Sequence, residues 1–299
     1  MKNPFFYIVD VFAEKKFTGN QLAVFRNVKK LSDNEMQKIA KEMNFSETSF
    51  ILSDEQKNGG YNVRIFTPES EIPFAGHPTL GTAFIIQNNI IKEPVKNIIL
   101  NLKAGRIPVS FNYLGKRLDT LWMKQLQPTF GNKFDPDDVS KILNLKESEF
   151  DNNFPIQLVS TGLPVIIVPL KNLNSVKKVR INRIKYNDFI ANIEAKTVLV
   201  FSKQTYIPEH DLNVRFFADY YGISEDPATG SANGCLAAYL VKHHYFGTNQ
   251  IDLKVEQGYE IGRKSLIFLK AEEKKNGTSI FVGGKVELIA KGEFEKISL

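Results

Sequence analysis

The chain has 299 residues, 42% hydrophobic and 24% charged, a globular balance at a length that supports one large domain or two lobes. A single cysteine, Cys235, excludes an intrachain disulfide framework and suits a reducing compartment. No apolar run approaches the ~18–20 residues of a membrane span. The net charge of +6 is spread over pairs such as Lys15-Lys16, Lys177-Lys178 and Lys274-Lys275, a solvated surface rather than a nucleic-acid face. A cytoplasmic protein without nucleic-acid or membrane partners is expected.

Strand-like segments dominate; they are short, rich in Ile, Val and Phe, and bounded by Gly, Pro or Asn. The first lies in MKNPFFYIVDVFAE, where Asp10 interrupts the apolar stretch and no small-x-small cleavage site follows. It reads as a strand and not as a signal peptide. After QLAVF, the spacing predicts a helix over Ser32 to Asn44, with Ser32 and Glu35 as a capping box and Met36, Ile39, Ala40 and Met43 on one face. NVRIFT, an apolar helix over His77 to Gln87, and the strands NIILNL and RIPVSFN follow. A lobe boundary is expected near Gly115 to Leu118, giving lobes of 1–116 and 117–299, with a final strand over Lys285 to Ile297 free to return to the first. In the second half Asp135-Pro136 starts a helix with Val139, Ile142 and Leu143 inside. A shorter helix is expected over Asp188 to Glu194, and an apolar one over Ser231 to Tyr245, among the strands QLVST, PVIIVPL, TVLVFS, LNVRFFA, IDLKVEQ, SLIFLKA and SIFVGGKVELIAKG.

The two apolar helices answer each other. Glu71-Ile-Pro-Phe-Ala-Gly76 and Glu225-Asp-Pro-Ala-Thr-Gly230 share Glu, Pro and Gly at an offset of 154, and upstream NVRIF (62–66) matches NVRFF (213–217) at an offset of 151. A duplicated unit follows: strand, acidic-proline-glycine loop, buried helix. Two such units predict an α+β protein of two pseudo-symmetric lobes, each a rolled, mostly antiparallel sheet around a central helix.

A helix start leaves backbone N–H groups unpaired and carries partial positive charge. Gly76 and Gly230 let a ligand approach that backbone, and Pro78 costs nothing so early in a helix. Either loop alone reads as an ordinary cap. Together, with His77 and Ser231 at equivalent places, they suggest paired anion-binding helix starts suited to a carboxylate. His77 at a buried, positive helix end is expected to be neutral. Metal binding is not expected, since no second histidine stands at ligand spacing and the adjacent His243 and His244 point different ways. Glu47, in the hydroxyl-rich MNFSETSFIL, reads either as a solvent-facing residue at a strand start or, if buried, as a proton shuttle. Asp226 before Pro227 reads as a turn residue, yet its counterpart is Ile72, so the loop does not require an acid.

Three segments, NFSETSF, IPFAGHPTLGTAF and EDPATGSANGCLAAYL, resemble the signatures of the phenazine-biosynthesis PhzF-like family, as do VDVFAEKKFTGNQLAVF and EQGYEIGRKSLIF. The resemblance implies a fold like that of diaminopimelate epimerase, with a site between the lobes. It further implies a cofactor-free isomerase, usually dimeric, that moves a proton between carbons of a cyclic dihydro-hydroxyanthranilate. By motif, Glu47 would be the general acid/base, with His77 and Asp226 as further catalytic groups. Ser231, Thr229 and the backbones of Gly76 and Gly230 would bind a small anionic substrate. Related thiol-dependent epimerases place cysteines before the two helix-start glycines. Here those positions are Ala75 and Thr229, which excludes two-thiol racemisation. A one-base amino-acid epimerase and a non-catalytic carboxylate-binding protein are the alternatives.

Overall fold

The computed structural model describes residues 3–295 and divides at Lys124/Gln125 and Val282/Gly283 into two compact units. Met1 and Lys2 of the expected first segment, and Lys296 and Ile297 of the expected last strand, lie outside the described residues.

The first unit is built from β1 (Phe5–Val11), β2 (Asn20–Arg26), α1 (Asp33–Met43), β3 (Thr48–Ile51), β4 (Tyr61–Phe66), the short β5 (Glu71–Ile72), α2 (Gly76–Ile85), β6 (Asn97–Leu102), β7 (Gly105–Leu114) and β8 (Arg117–Lys124). The second carries β9 (Thr129–Phe134), α3 (Pro136–Leu143), β10 (Ile156–Ser160), β11 (Pro164–Pro169), α4 (Leu173–Lys178), α5 (Arg183–Ile190), β12 (Val198–Ser202), β13 (Leu212–Ala218), β14 (Ile223–Asp226), α6 (Gly230–Lys242), β15 (Gln250–Gln257) and β16 (Ser265–Lys274). The chain leaves it along β17 (Gly277–Gly284) and ends in β18 (Val286–Glu293), which pairs antiparallel with β1.

Both units follow one plan. Two antiparallel strands (β1–β2; β10–β11) lead through a helical crossover to a parallel third (β3; β12). An antiparallel fourth (β4; β13) folds back on a short strand (β5; β14). The central helix follows (α2; α6), then a strand parallel to the fourth (β6; β15) and an antiparallel neighbour (β7; β16). The duplication thus extends well beyond the two loops that betray it in sequence.

In the first unit α2 is in contact with β1, β2, β3, β6, β7, β8 and β18. It buries every residue from Gly76 to Ile85 except Phe84, which is why it carries almost no polar surface to read as amphipathic. Gly81 makes this approach possible, since a Cβ there would stand 2.6 Å from Leu22 and 2.9 Å from Val11. In the second unit α6 lies against β10, β11, β15 and β16, and its Tyr239 hydroxyl donates to the Pro155 carbonyl at 2.7 Å.

α1 has the expected capping box, with Met36, Ile39 and Ala40 buried; α3 has Asp135 as N-cap and Val139, Ile142 and Leu143 inside. Elsewhere the structure departs from expectation. The segment 117–124 lies on the first unit's side of the division, because Gly115-Lys116 is the turn of the β7–β8 hairpin. The helix expected over Asp188 to Glu194 runs instead over Arg183–Ile190, because Asn182 caps it through a bond from the Lys185 amide and Tyr186 and Ile190 form its buried stripe. α4, capped by Asn172, was not expected. α2 passes into a π-helical turn over Ile86–Ile91, and α6 ends at Lys242 rather than Tyr245.

The turn after β15 is held at Gly258 (φ +76°), where a Cβ would meet the Arg263 carbonyl at 2.5 Å and the Pro227 carbonyl at 2.6 Å. Gly247 has a similar φ of +73° with nothing within 4 Å of an added Cβ. Gly247→Ala should cost only the left-handed backbone penalty of ~1–2 kcal/mol, and Gly258→Ala clearly more, as denaturant unfolding of the two variants will show.

Candidate active site

Glu47 sits at the entry to β3 and His77 on the first turn of α2. β3 is parallel to β2, and β2 begins at Asn20. The site in this unit is therefore assembled from the starts of three elements. His77 Nε2 stands 3.4 Å from Glu47 Oε2, with the two side chains 6% and 16% exposed. Glu47 is thus largely buried while keeping an opening, so the solvent-facing alternative for it does not hold.

His77 Nδ1 stands 3.3 Å from the Asn20 amide nitrogen, and a further hydrogen bond joins the ring to the Gln21 main chain. Burial pushes the His77 pKa down to about 3, against a weaker upward pull from that bond to Gln21. The ring is neutral at physiological pH. A neutral imidazole has one N–H and one lone pair. With Nδ1 accepting from Asn20, the ring proton lies on Nε2, which faces Glu47 Oε2 at 3.4 Å without the alignment of a hydrogen bond.

The start of α2 carries no side-chain cap, because its N-cap is Ala75. Thr79 serves the loop instead, its hydroxyl donating to the Ala75 carbonyl at 2.7 Å. Gly76 and His77 are buried here, so their amides give the helix start a desolvated positive end.

In the second unit Asp226 closes β14 and is 6% exposed. Thr229, the N-cap of α6, makes no cap bond; its hydroxyl donates to Asp226 Oδ2. The loop is pinned from beneath by Gln257, the last residue of β15. Gln257 Nε2 donates to the Asp226 carbonyl at 2.9 Å and to Thr229 Oγ1 at 3.1 Å, and its Oε1 accepts from the Thr229 amide and from Asn233. Gln257 and Asn233 are both fully buried. Sequence reasoning missed them, as it missed Asn20, since amide side chains on a strand and a helix look ordinary until the fold brings them to one loop. Gly230 is buried and Ser231 half-buried on the first turn of α6.

Cys235 lies farther along α6, buried against Thr161, and burial pushes its thiol up to about 11. It holds no thiolate at a helix start. Among the described residues no group of three His, Cys, Asp or Glu is placed to hold a metal ion, and no helix is long and apolar enough to cross a membrane.

The phenazine biosynthesis-like protein family model matches residues 9–292. The chain is 34% identical to an uncharacterized isomerase of Clostridium acetobutylicum, covering 96% of each chain. It is 33% identical to the trans-2,3-dihydro-3-hydroxyanthranilate isomerase of Pseudomonas aeruginosa, covering 89% of this chain and 90% of that one. Among solved structures, a phenazine biosynthesis protein of the PhzF family from Bacillus anthracis superposes with a TM-score of 0.89 at 26% identity, over 99% of this chain and all of the other. A match spanning nearly the whole sequence, on a fold whose helix starts carry the Gly-His-Pro and Asp-Pro-Ala-Thr-Gly-Ser segments, places this chain among the isomerases of the phenazine biosynthesis-like, PhzF-type family.

Proposed function

We propose that this isomerase moves a proton between two carbons of a small, unsaturated cyclic carboxylate, with Glu47 as its single acid/base and no cofactor. The observation that carries this reading is the Glu47–His77 pair: a carboxyl group largely out of water, 3.4 Å from a neutral imidazole at an uncapped helix start. Anionic groups of the substrate are bound at the helix starts: the Gly76 N–H serves that of α2, and the Gly230 N–H with the Ser231 hydroxyl serves that of α6. Glu47 takes the proton from an activated C–H, the electron pair shifts into the conjugated system, and Glu47 then protonates a second carbon, with the abstracted proton in some turnovers and with one exchanged from solvent in the rest. Nothing is oxidised or reduced.

His77 faces Glu47 as a neutral ring and so brings no full positive charge against it. Asp226, oriented by Thr229 and Gln257, binds an amino or hydroxyl substituent. Thr229 acts here through Asp226, because its hydroxyl proton is committed to that carboxylate. The named activity of the Pseudomonas relative supports the substrate class. Acid/base catalysis of this kind contributes ~10²–10⁴ in rate, and fixed backbone dipoles away from water supply the remainder.

Glu47→Gln should keep ligand binding but lose incorporation of solvent deuterium into trans-2,3-dihydro-3-hydroxyanthranilate by ~10²-fold or more, measured by mass spectrometry. Retained exchange would remove Glu47 from its role. Binding by the wild-type protein without turnover or exchange of any cyclic carboxylate would leave a binding protein.

The state of His77 makes a second prediction. Its folded pKa lies below the ordinary value of ~6.5, so the unfolded chain binds the extra proton first. The stability that His77 contributes is therefore present above pH ~6.5 and lost as pH falls toward about 3. The His77 ring signals in a nitrogen-15 NMR titration should stay those of a neutral imidazole from pH 8 to pH 5; a protonation midpoint near 6.5 would contradict this.

A further inference from the structure

The two fragments of the sequence repeat are joined by the same ion pair in each unit. Arg64 of β4 donates Nε to Glu71 Oε1 and Nη2 to Glu71 Oε2, both at 2.9 Å. Arg215 of β13 donates Nε to Glu225 Oε1 at 3.0 Å and Nη2 to Glu225 Oε2 at 2.7 Å. Each guanidinium also lies over the phenylalanine two positions on, 5.1 Å from Phe66 and 4.9 Å from Phe217. The remaining nitrogen reaches a flanking helix in both units. Arg64 Nη1 meets Asp33 at the start of α1 at 2.5 Å. Arg215 Nη1 meets the carbonyls of Val176 and Val179 at the end of α4, both at 3.0 Å.

Partner spacing is seven residues in the first unit and ten in the second. The extra residues form the 3-10 turn Asp219–Tyr221 between β13 and β14. The fork survives an insertion that changes the hairpin around it. Stability is a weak reason for such pairs: partly exposed ones contribute little, and buried ones roughly balance their desolvation. What a bidentate fork supplies, and an apolar contact does not, is a fixed plane. Glu71 and Glu225 lie on the short strands β5 and β14, five residues before Gly76 and Gly230. Neither helix start has a side-chain cap of its own to fix it.

We propose that Arg64–Glu71 and Arg215–Glu225 are duplicated positioning clamps, which hold each short strand at a set angle and thereby aim the two uncapped helix starts, with His77 and Asp226, for the isomerisation. The inference rests on the function proposed above. The clamp residues touch no reacting atom; they act through the loops.

The test uses the first pair, whose side chains are 22% and 20% exposed, so that the variants fold. Arg64→Gln, Arg64→Lys and Glu71→Gln, in the full chain, should each lower kcat/KM for trans-2,3-dihydro-3-hydroxyanthranilate at least tenfold. The double variant Arg64→Gln/Glu71→Gln should be no worse than the singles. Arg26→Gln, which breaks the comparable fork between Arg26 and Asp54, should leave kcat/KM within twofold even where Tm falls as far. In nitrogen-15 spectra the Gly76 and His77 amide signals should shift in the clamp variants and stay in place in Arg26→Gln. A lowered Tm with kcat/KM and both amide signals unchanged would overturn the clamp. If the wild-type protein does not act on this compound, the functional reading fails instead, and the two amide signals alone decide the clamp.

Discussion

A helix enclosed by its own sheet has to be entered through a loop, and that entry is the constraint on which this structure depends. α2 is buried along nearly its whole length, so the amides of its first turn are deprived of water as well as of i−4 partners. Most helices answer with a serine, threonine or aspartate cap. Here the N-cap of α2 is an alanine, and the N-cap threonine of α6 turns its hydroxyl to Asp226. Polar groups left in that condition are costly unless something binds them. The anionic substrate proposed here would meet that need, and the glycine at each start opens the backbone to such a group.

The chemistry grows from the same enclosure. Burial that makes an unpaired amide costly also strips His77 of its charge, and a neutral ring is the neighbour that suits the acid/base role proposed for Glu47. A histidine cation in that place would lock Glu47 into an ion pair. In the second unit the amide side chains of Gln257 and Asn233 supply directed hydrogen bonds without net charge to the main chain of the loop from Asp226 to Thr229. The charged forks join β4 to β5 and β13 to β14, where a fixed plane is what the proposed clamp requires.

Much of this was legible in the residues. The capping box of α1, the proline start of α3 and the two apolar helices were readable because local patterns specify them. Glu47 and His77 were candidates from their segments, but sequence had no means of placing them 3.4 Å apart, since three strands and their connecting loops intervene. The Arg–Glu forks were visible only as two unconnected echoes at different offsets; the 3-10 turn that separates the offsets explains the gap. Boundary errors had local causes. A glycine-lysine hairpin turn looked like a linker, and Asn182 was overlooked as a cap. The buried amides Asn20, Asn233 and Gln257 carry no pattern at all, because their importance comes from which loop the fold sets beside them.

The most direct measurement of the central claim, a lone carboxyl group that ferries one proton within the substrate, is a single-turnover experiment in light water. The substrate would carry deuterium at the carbon that is deprotonated. Transfer by Glu47 alone predicts that a measurable fraction of product carries that deuterium at the newly protonated carbon. A product labelled only from solvent from the first turnover onward would contradict the account and require a second base.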